Sequence, residues 1–411
     1  MPETIAYFVT PHTGGTFRTF LNLRKALQPF GYQVVAVSIG KMEWNGWWEK
    51  RLADSDCLHL HPDVSGLRNA VELLLQWVRH EDIRFLIPMS NAVALAALPY
   101  LPASCQIVTR LSSTSKNGVR LAVPLYERIS AVVVHAPGHL DYLRQIDARV
   151  TDKAVLIPHG VDTSNFSPAG TNDLGDKSGI RILYLGRLSI YDSLSIYDKG
   201  IDRLGPITRS LWSMKEKFRL TVVGSGLDEK HVRRELSAFE KIGLVQFHPS
   251  VPPDQVPSIM RQHDVLLMPS RFEGFPNTLL EGMACGLVPV VSRLPGITDY
   301  IVEDEKSGFV CSQDDPGEFV ARLAMLSRDE SLRRKMGSNA HQRVKNCFSL
   351  EAVGKSYHAL FERLSRTPPS FGAEKPLPQR IRYHPLARPR RFASLRRRLR
   401  GLLAKWGLWH R

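Results

Sequence analysis

The 411-residue sequence predicts an α/β protein made of two doubly wound domains. Three observations predict this. Short runs of Val, Ile and Leu alternate with longer stretches whose apolar residues recur at helical spacing. The runs are apolar on both faces, as strands of a covered parallel sheet must be. The alternation stops once, around residues 160–179, and then restarts. Alternating strands and helices imply a parallel sheet with helices on both faces.

In chain order, the first strand is expected at Ile5–Val9. No charged-then-apolar leader stands before it, so no secretory signal is expected. A helix follows at Thr16–Phe30, a strand at Val34–Ile39 and a helix at Leu67–His80. Further strands are expected at Phe85–Met89, Gln106–Leu111, Ala131–His135 and Ala154–Pro158. Gly160–Gly179 holds four Gly, one Pro and several Asp, Asn and Ser, and reads as a linker. Beyond it come strands at Arg181–Gly186, Arg219–Gly224, Leu244–His248, Asp264–Ser270 and Val288–Ser292. The intervening helices fall at Ile201–Lys217, Asp228–Ile242, Pro253–Gln262 and Asn277–Gly286. The expected division is an amino-terminal domain over 1–160 and a second over 161–346. A helix over 347–366 crosses back to the first, followed by a Pro-rich linker over 367–391 and a basic tail over 392–411. In open parallel sheets ligands bind at the carboxyl ends of strands, so the expected site is a cleft between the domains.

Composition excludes several classes. With 43% hydrophobic and 23% charged residues, wholesale disorder, a collagen-like fibre and a multi-span membrane protein do not fit. The longest apolar candidate, Phe85–Pro102, is broken by Pro88, Asn91 and Pro99. Five cysteines with no CxxC pair give neither a zinc knuckle nor a disulfide framework, and fit a reducing compartment. The net charge of +15 is uneven: residues 367–411 hold 12 Lys+Arg against one acid, Glu374. In that tail Phe392, Leu395, Leu399, Leu402, Leu403, Trp406 and Trp409 share one helical face. A basic amphipathic helix over Phe392–Trp409 suits an anionic membrane surface.

The most specific signal is Pro269-Ser-Arg-Phe-Glu-Gly-Phe-Pro-Asn-Thr-Leu-Leu-Glu-Gly-Met-Ala-Cys-Gly286. A strand ends near Met268, a loop carries Glu273-Gly274-Phe275-Pro276, and a helix opening at Asn277 carries Glu281. Gly274 removes the Cβ where a ligand approaches. The open amides of a helix start attract a phosphate. Glu281 can accept hydrogen bonds from a vicinal diol such as ribose, and Glu273 faces what lies beyond the phosphates. The bland alternative is a solvated Glu favoured by the helix dipole.

This Glu-x7-Glu segment closely resembles the donor-site motif of retaining GT-B glycosyltransferases that use nucleotide sugars. The resemblance extends to His159-Gly-Val-Asp162 with Phe166 and Pro168, Gly186-Arg187-Leu188, Lys199-Gly-Ile-Asp202, Val222-Val-Gly-Ser-Gly226 and Gly286-Leu-Val-Pro-Val-Val291. It implies that Arg187 and Lys199 bind the donor diphosphate, with Glu273 facing the donor sugar. It further implies that Glu281 holds the ribose, and that the Gly274-Phe275-Pro276-Asn277 backbone supports the phosphates. Gly14-Gly15 would form the flexible turn after the first strand, with Arg18 nearby. No cofactor or metal is implied, since cations do the work of an ion on the leaving diphosphate.

The sequence departs from that pattern in three places. Leu188-Ser-Ile-Tyr-Asp-Ser193 is repeated as Leu194-Ser-Ile-Tyr-Asp-Lys199, which lengthens the loop before Lys199. The strand where relatives carry a His ends in Arg110-Leu111, so Arg110 is the candidate there, against simple pairing in a loop. Pro249 stands where relatives often have Gly, which leaves the base open. Asp54-Ser55-Asp56 matches a short metal-binding pattern outside a clear strand. His59 and His61 read as loop residues, and Trp44, Trp47 and Trp48 suit a membrane, an acceptor sugar or a core. The third glycine of a dinucleotide fingerprint starting at Gly224 would fall at Glu229, which makes a hydride-transfer reading poor.

The expectation is therefore a retaining hexosyltransferase acting on a glycan or lipid-linked acceptor in cell-envelope or exopolysaccharide synthesis. Its expected place is the cytoplasmic face of a membrane. The alternatives are another GT-B activity, such as an epimerase or phosphorylase, or nucleic-acid binding by the tail.

Overall fold

The computed structural model describes residues 3–9, 15–39, 57–60, 64–111, 113–169, 179–189, 198–367 and 375–382. The chain divides into two compact units. One is formed by residues 1–165 with 343–388, the other by 166–342. Trp44, Trp47, Trp48, Asp54–Asp56, His61, Gly14 and Phe392–Trp409 lie outside the described residues.

The first unit is a parallel sheet of β1 (Glu3–Phe8), β2 (Tyr32–Ile39), β3 (Cys57–Leu60), β4 (Phe85–Ile87), β5 (Gln106–Leu111), β6 (Ala131–Val134) and β7 (Ala154–Leu156). Their order is β3-β2-β1-β4-β5-β6-β7. Successive side chains of a strand point to opposite faces, and β1 shows both faces covered. Ile5 and Tyr7 pack with Phe20 and Leu23 of the helix Gly15–Leu27 and with Tyr357 and Phe361 of the helix Leu350–Arg366. Ala6 and Phe8 pack on the opposite face, with Val71 and Leu74 of the helix Leu67–His80.

The second unit holds β8 (Ile180–Leu185), β9 (Phe218–Val223), β10 (Val245–His248), β11 (Val265–Met268), β12 (Val288–Ser292) and β13 (Phe309–Cys311). All pair in parallel, in the order β10-β9-β8-β11-β12-β13. The strands β3 and β13 were not expected from sequence. Each is short and lies at the outer end of its sheet. His59 therefore belongs to a strand rather than a loop. The helix expected over Ile201–Lys217 ends sooner, at Ser213, and Lys215 nearby adopts φ 58. A left-handed residue cannot continue the helix.

The helix Leu350–Arg366 is capped by Ser349, whose side chain accepts from the Ala352 amide at 3.2 Å. It lies directly on the helix Gly15–Leu27. A Cβ added to Gly354 would stand 2.3 Å from the Ala26 carbonyl oxygen. The His159–Asp162 motif is tied into the same unit. The Asn22 side chain donates to the Gly160 carbonyl at 2.6 Å, Lys25 pairs with Asp162 at 2.5 Å, and Val161 bridges Ser349. Gly354→Ala should force these two helices apart and lower stability by about 1–3 kcal/mol. Urea unfolding measures it, and an unchanged midpoint would refute the close contact.

Candidate active site

The second sheet reverses its winding between β8 and β11. Loops leaving adjacent strands at such a switch point diverge and open a crevice at the carboxyl ends. The sequence places Gly186-Arg187-Leu188 after β8 and Pro269–Pro276 after β11. The first loop is fixed by backbone packed on backbone. Gly224 has φ +150, and a Cβ there would stand 1.9 Å from the Gly186 carbonyl oxygen. A Cβ on Gly226 would stand 2.1 Å from the Leu188 carbonyl oxygen. The Gly186 amide donates to Val223 at 3.0 Å and the Leu188 amide to Ser225 at 3.1 Å. This contact leaves the exposed Arg187 at the mouth of β8. Below it the Tyr184 hydroxyl donates to the Arg187 carbonyl at 3.2 Å. Burial first, and then the nearby charge of Glu273, push the Tyr184 hydroxyl well above its ordinary pKa.

The second loop carries a buried carboxylate in an ion pair. Lys199 Nζ lies 2.7 and 2.6 Å from the two carboxylate oxygens of Glu273, and Ser270 Oγ donates to Oε1 at 2.8 Å. Glu273 is 4% exposed. Lys199 is held there by a clasp between segments 198–203 and 269–273. The Asp198 carbonyl accepts from the Arg271 and Phe272 amides at 2.8 and 3.2 Å. Arg271 makes a two-pronged bond to Asp202, at 2.8 and 2.7 Å. Those side-chain bonds hold the Asp202 carboxyl below its usual range. Gly200 has φ +63, and a Cβ there would stand 1.9 Å from the Pro269 carbonyl oxygen. The middle of the repeated segment, residues 190–197, lies outside the described residues, but its exit at Asp198 is clamped.

The helix Asn277–Ala284 begins at Pro276 without a side-chain cap. The Leu279 amide donates to the Pro276 carbonyl at 3.1 Å, and the positive end of the helix dipole lies at this end. Gly274, Phe275 and Pro276 are buried in the preceding loop, and Asn277 is half-buried. Glu281 is buried on the following turn. Gly282 lets the helix press on β11, since a Cβ there would stand 2.8 Å from a methyl of Leu266.

The structure thus brings Lys199 and Glu273 into contact and puts Arg187, Glu273 and the Asn277 helix start at one end of the same sheet. Gly15 belongs to the other unit, as the first residue of its helix. Arg110 also lies there, buried in β5. It donates to the Tyr7 hydroxyl and contacts His135 Nε2 at 3.1 Å. Burial, together with the charges of His159 and Arg110, holds the His135 pKa well below its usual value. Sequence reasoning missed Ser270 and the Asp198–Arg271–Asp202 clasp. The signal for the clasp was an Arg inside one motif and two Asp flanking another. Among the described residues no group of three or more His, Cys, Asp or Glu is placed to hold a metal ion.

Residues 176–343 match the family described as "Glycosyl transferases group 1". The chain is 26% identical to an uncharacterized glycosyltransferase of Methanocaldococcus jannaschii, over 54% of this chain and 57% of that one. It is 28% identical to the phosphatidyl-myo-inositol mannosyltransferase of Mycolicibacterium smegmatis, over 71% of this chain and 74% of that one. The chain spans about half the length of most of the curated relatives it matches. Among solved structures, Anabaena HepE in complex with UDP and glucose superposes with a TM-score of 0.69 at 16% identity, covering 88% of this chain and 100% of that one. The shared fold is GT-B, with two parallel-stranded Rossmann-like sheets.

Lys199→Met removes the cation from the buried Glu273 carboxylate and should cost about 3–5 kcal/mol of stability. Arg187→Met, at an exposed position, should change stability by no more than about 0.5 kcal/mol. Urea unfolding of both variants checks the ranking, and equal losses would contradict the buried pairing.

Proposed function

We propose, from the match of residues 176–343 to the glycosyl transferases group 1 family, that this chain is a retaining glycosyltransferase. It moves a hexose from a nucleotide diphosphate sugar to a glycan or lipid-linked acceptor. One observation carries the reading. Arg187, the Lys199–Glu273 pair and the uncapped start of Asn277–Ala284 gather at the switch point of a single sheet.

The chemistry follows from those charges. The leaving group is a nucleoside diphosphate, and its negative charge grows as the glycosidic bond breaks. Arg187, Lys199 and the positive end of the helix dipole stabilise that charge. An ammonium has three donors, so Lys199 can hold a carboxylate and a phosphate together. Glu273 accepts from hydroxyls of the donor sugar, and Glu281 from the ribose. The acceptor hydroxyl attacks from the face the diphosphate leaves, and a phosphate oxygen takes its proton. With cations on the diphosphate, no metal is required. Gly274–Asn277 bring backbone to the phosphates. The names of relatives that act on phosphatidyl-inositol and in colanic acid biosynthesis support a cell-envelope or exopolysaccharide acceptor.

Incubation with a panel of nucleotide sugars and acceptors tests the activity. Free nucleotide diphosphate and a lengthened glycan of unchanged anomeric configuration are expected. An isomerised nucleotide sugar or a sugar phosphate as product would favour an epimerase or a phosphorylase instead. Glu281→Ala should lower donor use about ten- to a hundredfold, from loss of charge-assisted bonds worth roughly 1.5–3 kcal/mol. Arg187→Ala should lower kcat more than it raises KM, because its charge acts as the phosphate departs. Unchanged kinetics in Glu281→Ala would refute the ribose assignment.

The Phe392–Trp409 stripe, among basic residues, addresses the chain to the cytoplasmic face of a membrane. No helix of the described residues is long and apolar enough to cross one. Flotation with anionic liposomes should depend on residues 390–411. Tail-independent flotation, or tail-dependent DNA binding in its place, would overturn this address.

A further inference from the structure

Among the described residues the second unit exposes five large apolar side chains, Trp212, Met214, Leu227, Ile242 and Met325. Three of them share one corner. Trp212 lies in the last turn of the helix Leu204–Ser213, and Met214 follows that helix. Ile242 follows the helix Glu229–Lys241, three residues beyond Phe239. The Trp212 and Phe239 rings meet edge to face with centroids 6.2 Å apart, which joins the two helix ends. The chain leaving them enters β9 at Phe218 and β10 at Val245. These are neighbouring parallel strands, and the Leu220 amide donates to the Leu244 carbonyl at 3.0 Å. Both turns therefore stand at the amino ends of the sheet, the opposite end from Arg187 and Glu273.

Trp212 is 51%, Met214 46% and Ile242 60% exposed. Apolar residues exposed singly are ordinary, but three at adjoining helix ends around a half-buried ring form a patch. Its border is basic. Lys215, Lys217 and Lys241 are exposed, and none makes an ion pair among the described residues. The carboxylates next to them in the chain are taken. Arg328 Nε donates to Glu216 at 2.8 Å, and Arg233 to Glu240 at 2.8 Å.

We propose that this corner is a second membrane contact, which docks on an anionic bilayer with Trp212, Met214 and Ile242 in the headgroup layer. The chemistry of the border chooses lipid over protein. Lysine is depleted from protein–protein interfaces, whereas each lysine near an anionic leaflet adds attraction. Tryptophan is the residue enriched where a bilayer meets water, since its ring is apolar and its N–H stays wet. The contact belongs to the second unit, separate from the Phe392–Trp409 tail, and does not depend on the proposed activity.

The full chain is mixed with vesicles of phosphatidylglycerol and phosphatidylcholine, part of the latter brominated on its acyl chains, and tryptophan quenching is read beside flotation. Trp212→Phe keeps the patch apolar, so the chain should still float, but the share of quenching due to Trp212 should vanish. That difference separates this corner from Trp406 and Trp409 of the tail. Lys241→Gln should weaken partitioning about fivefold, the effect of one charge at an anionic surface. Ile242→Asp should weaken it further. Both positions are exposed, so Tm without vesicles should hold. Quenching that is the same in wild type and Trp212→Phe, or partitioning that neither other variant alters, would leave the tail as the contact and overturn the proposal. A dimer in free solution that Ile242→Asp abolishes would assign the patch to a second copy and overturn it as well.

Discussion

Burying a carboxylate is costly unless cations and donors surround it. Glu273, 4% exposed at the end of a strand, has an ammonium on both oxygens and a serine hydroxyl on one. Much of the mouth of the second sheet follows from meeting that need. Lys199 can reach Glu273 only if its segment lies flat on the loop after β11. Gly200 in the left-handed region makes that possible, because any side chain there would strike the Pro269 carbonyl. Arg271 and its two aspartates lock the same contact from the far side. The electrostatic requirement of one side chain thus sets the path of two loops.

Most strands were legible because a strand buried on both faces must be apolar throughout. Gln106–Leu111 and Val288–Ser292 came out with their expected limits. The edge strands β3 and β13 were not legible, because three or four residues carry too little pattern to separate from a loop. At the site, the glycines were legible as motif members, but the reason for each was not. Gly224 and Gly226 mark backbone approach to the loop after β8, a long-range contact with no signature in local spacing. Ser270 was hidden for a similar reason: its role depends on which way Glu273 turns.

The second unit carries cations at both ends of its sheet, but they are arranged differently. At the carboxyl ends, the half-buried Lys199 is matched by the buried Glu273, and Arg187 stands exposed at the rim. At the amino ends, the carboxylates are consumed by Arg181 and Arg334, and further guanidinium groups face a shared cavity. A matched pair positions neighbouring groups with little net field.

The first unit shows why a cation at a strand end is not by itself a ligand site. Arg110 lies near the carboxyl end of β5, as Arg187 follows β8, yet it is buried against Tyr7, Tyr357 and His135. Its guanidinium already donates to a phenol and meets an imidazole kept neutral by burial. Drawing it toward a ligand would strip those bonds inside the core, where an unmade bond costs about 1–3 kcal/mol. Arg187, by contrast, is exposed on a loop fixed through its backbone, outside the core. Burial, more than residue type, separates the structural Arg110 from Arg187, the one proposed to meet the donor.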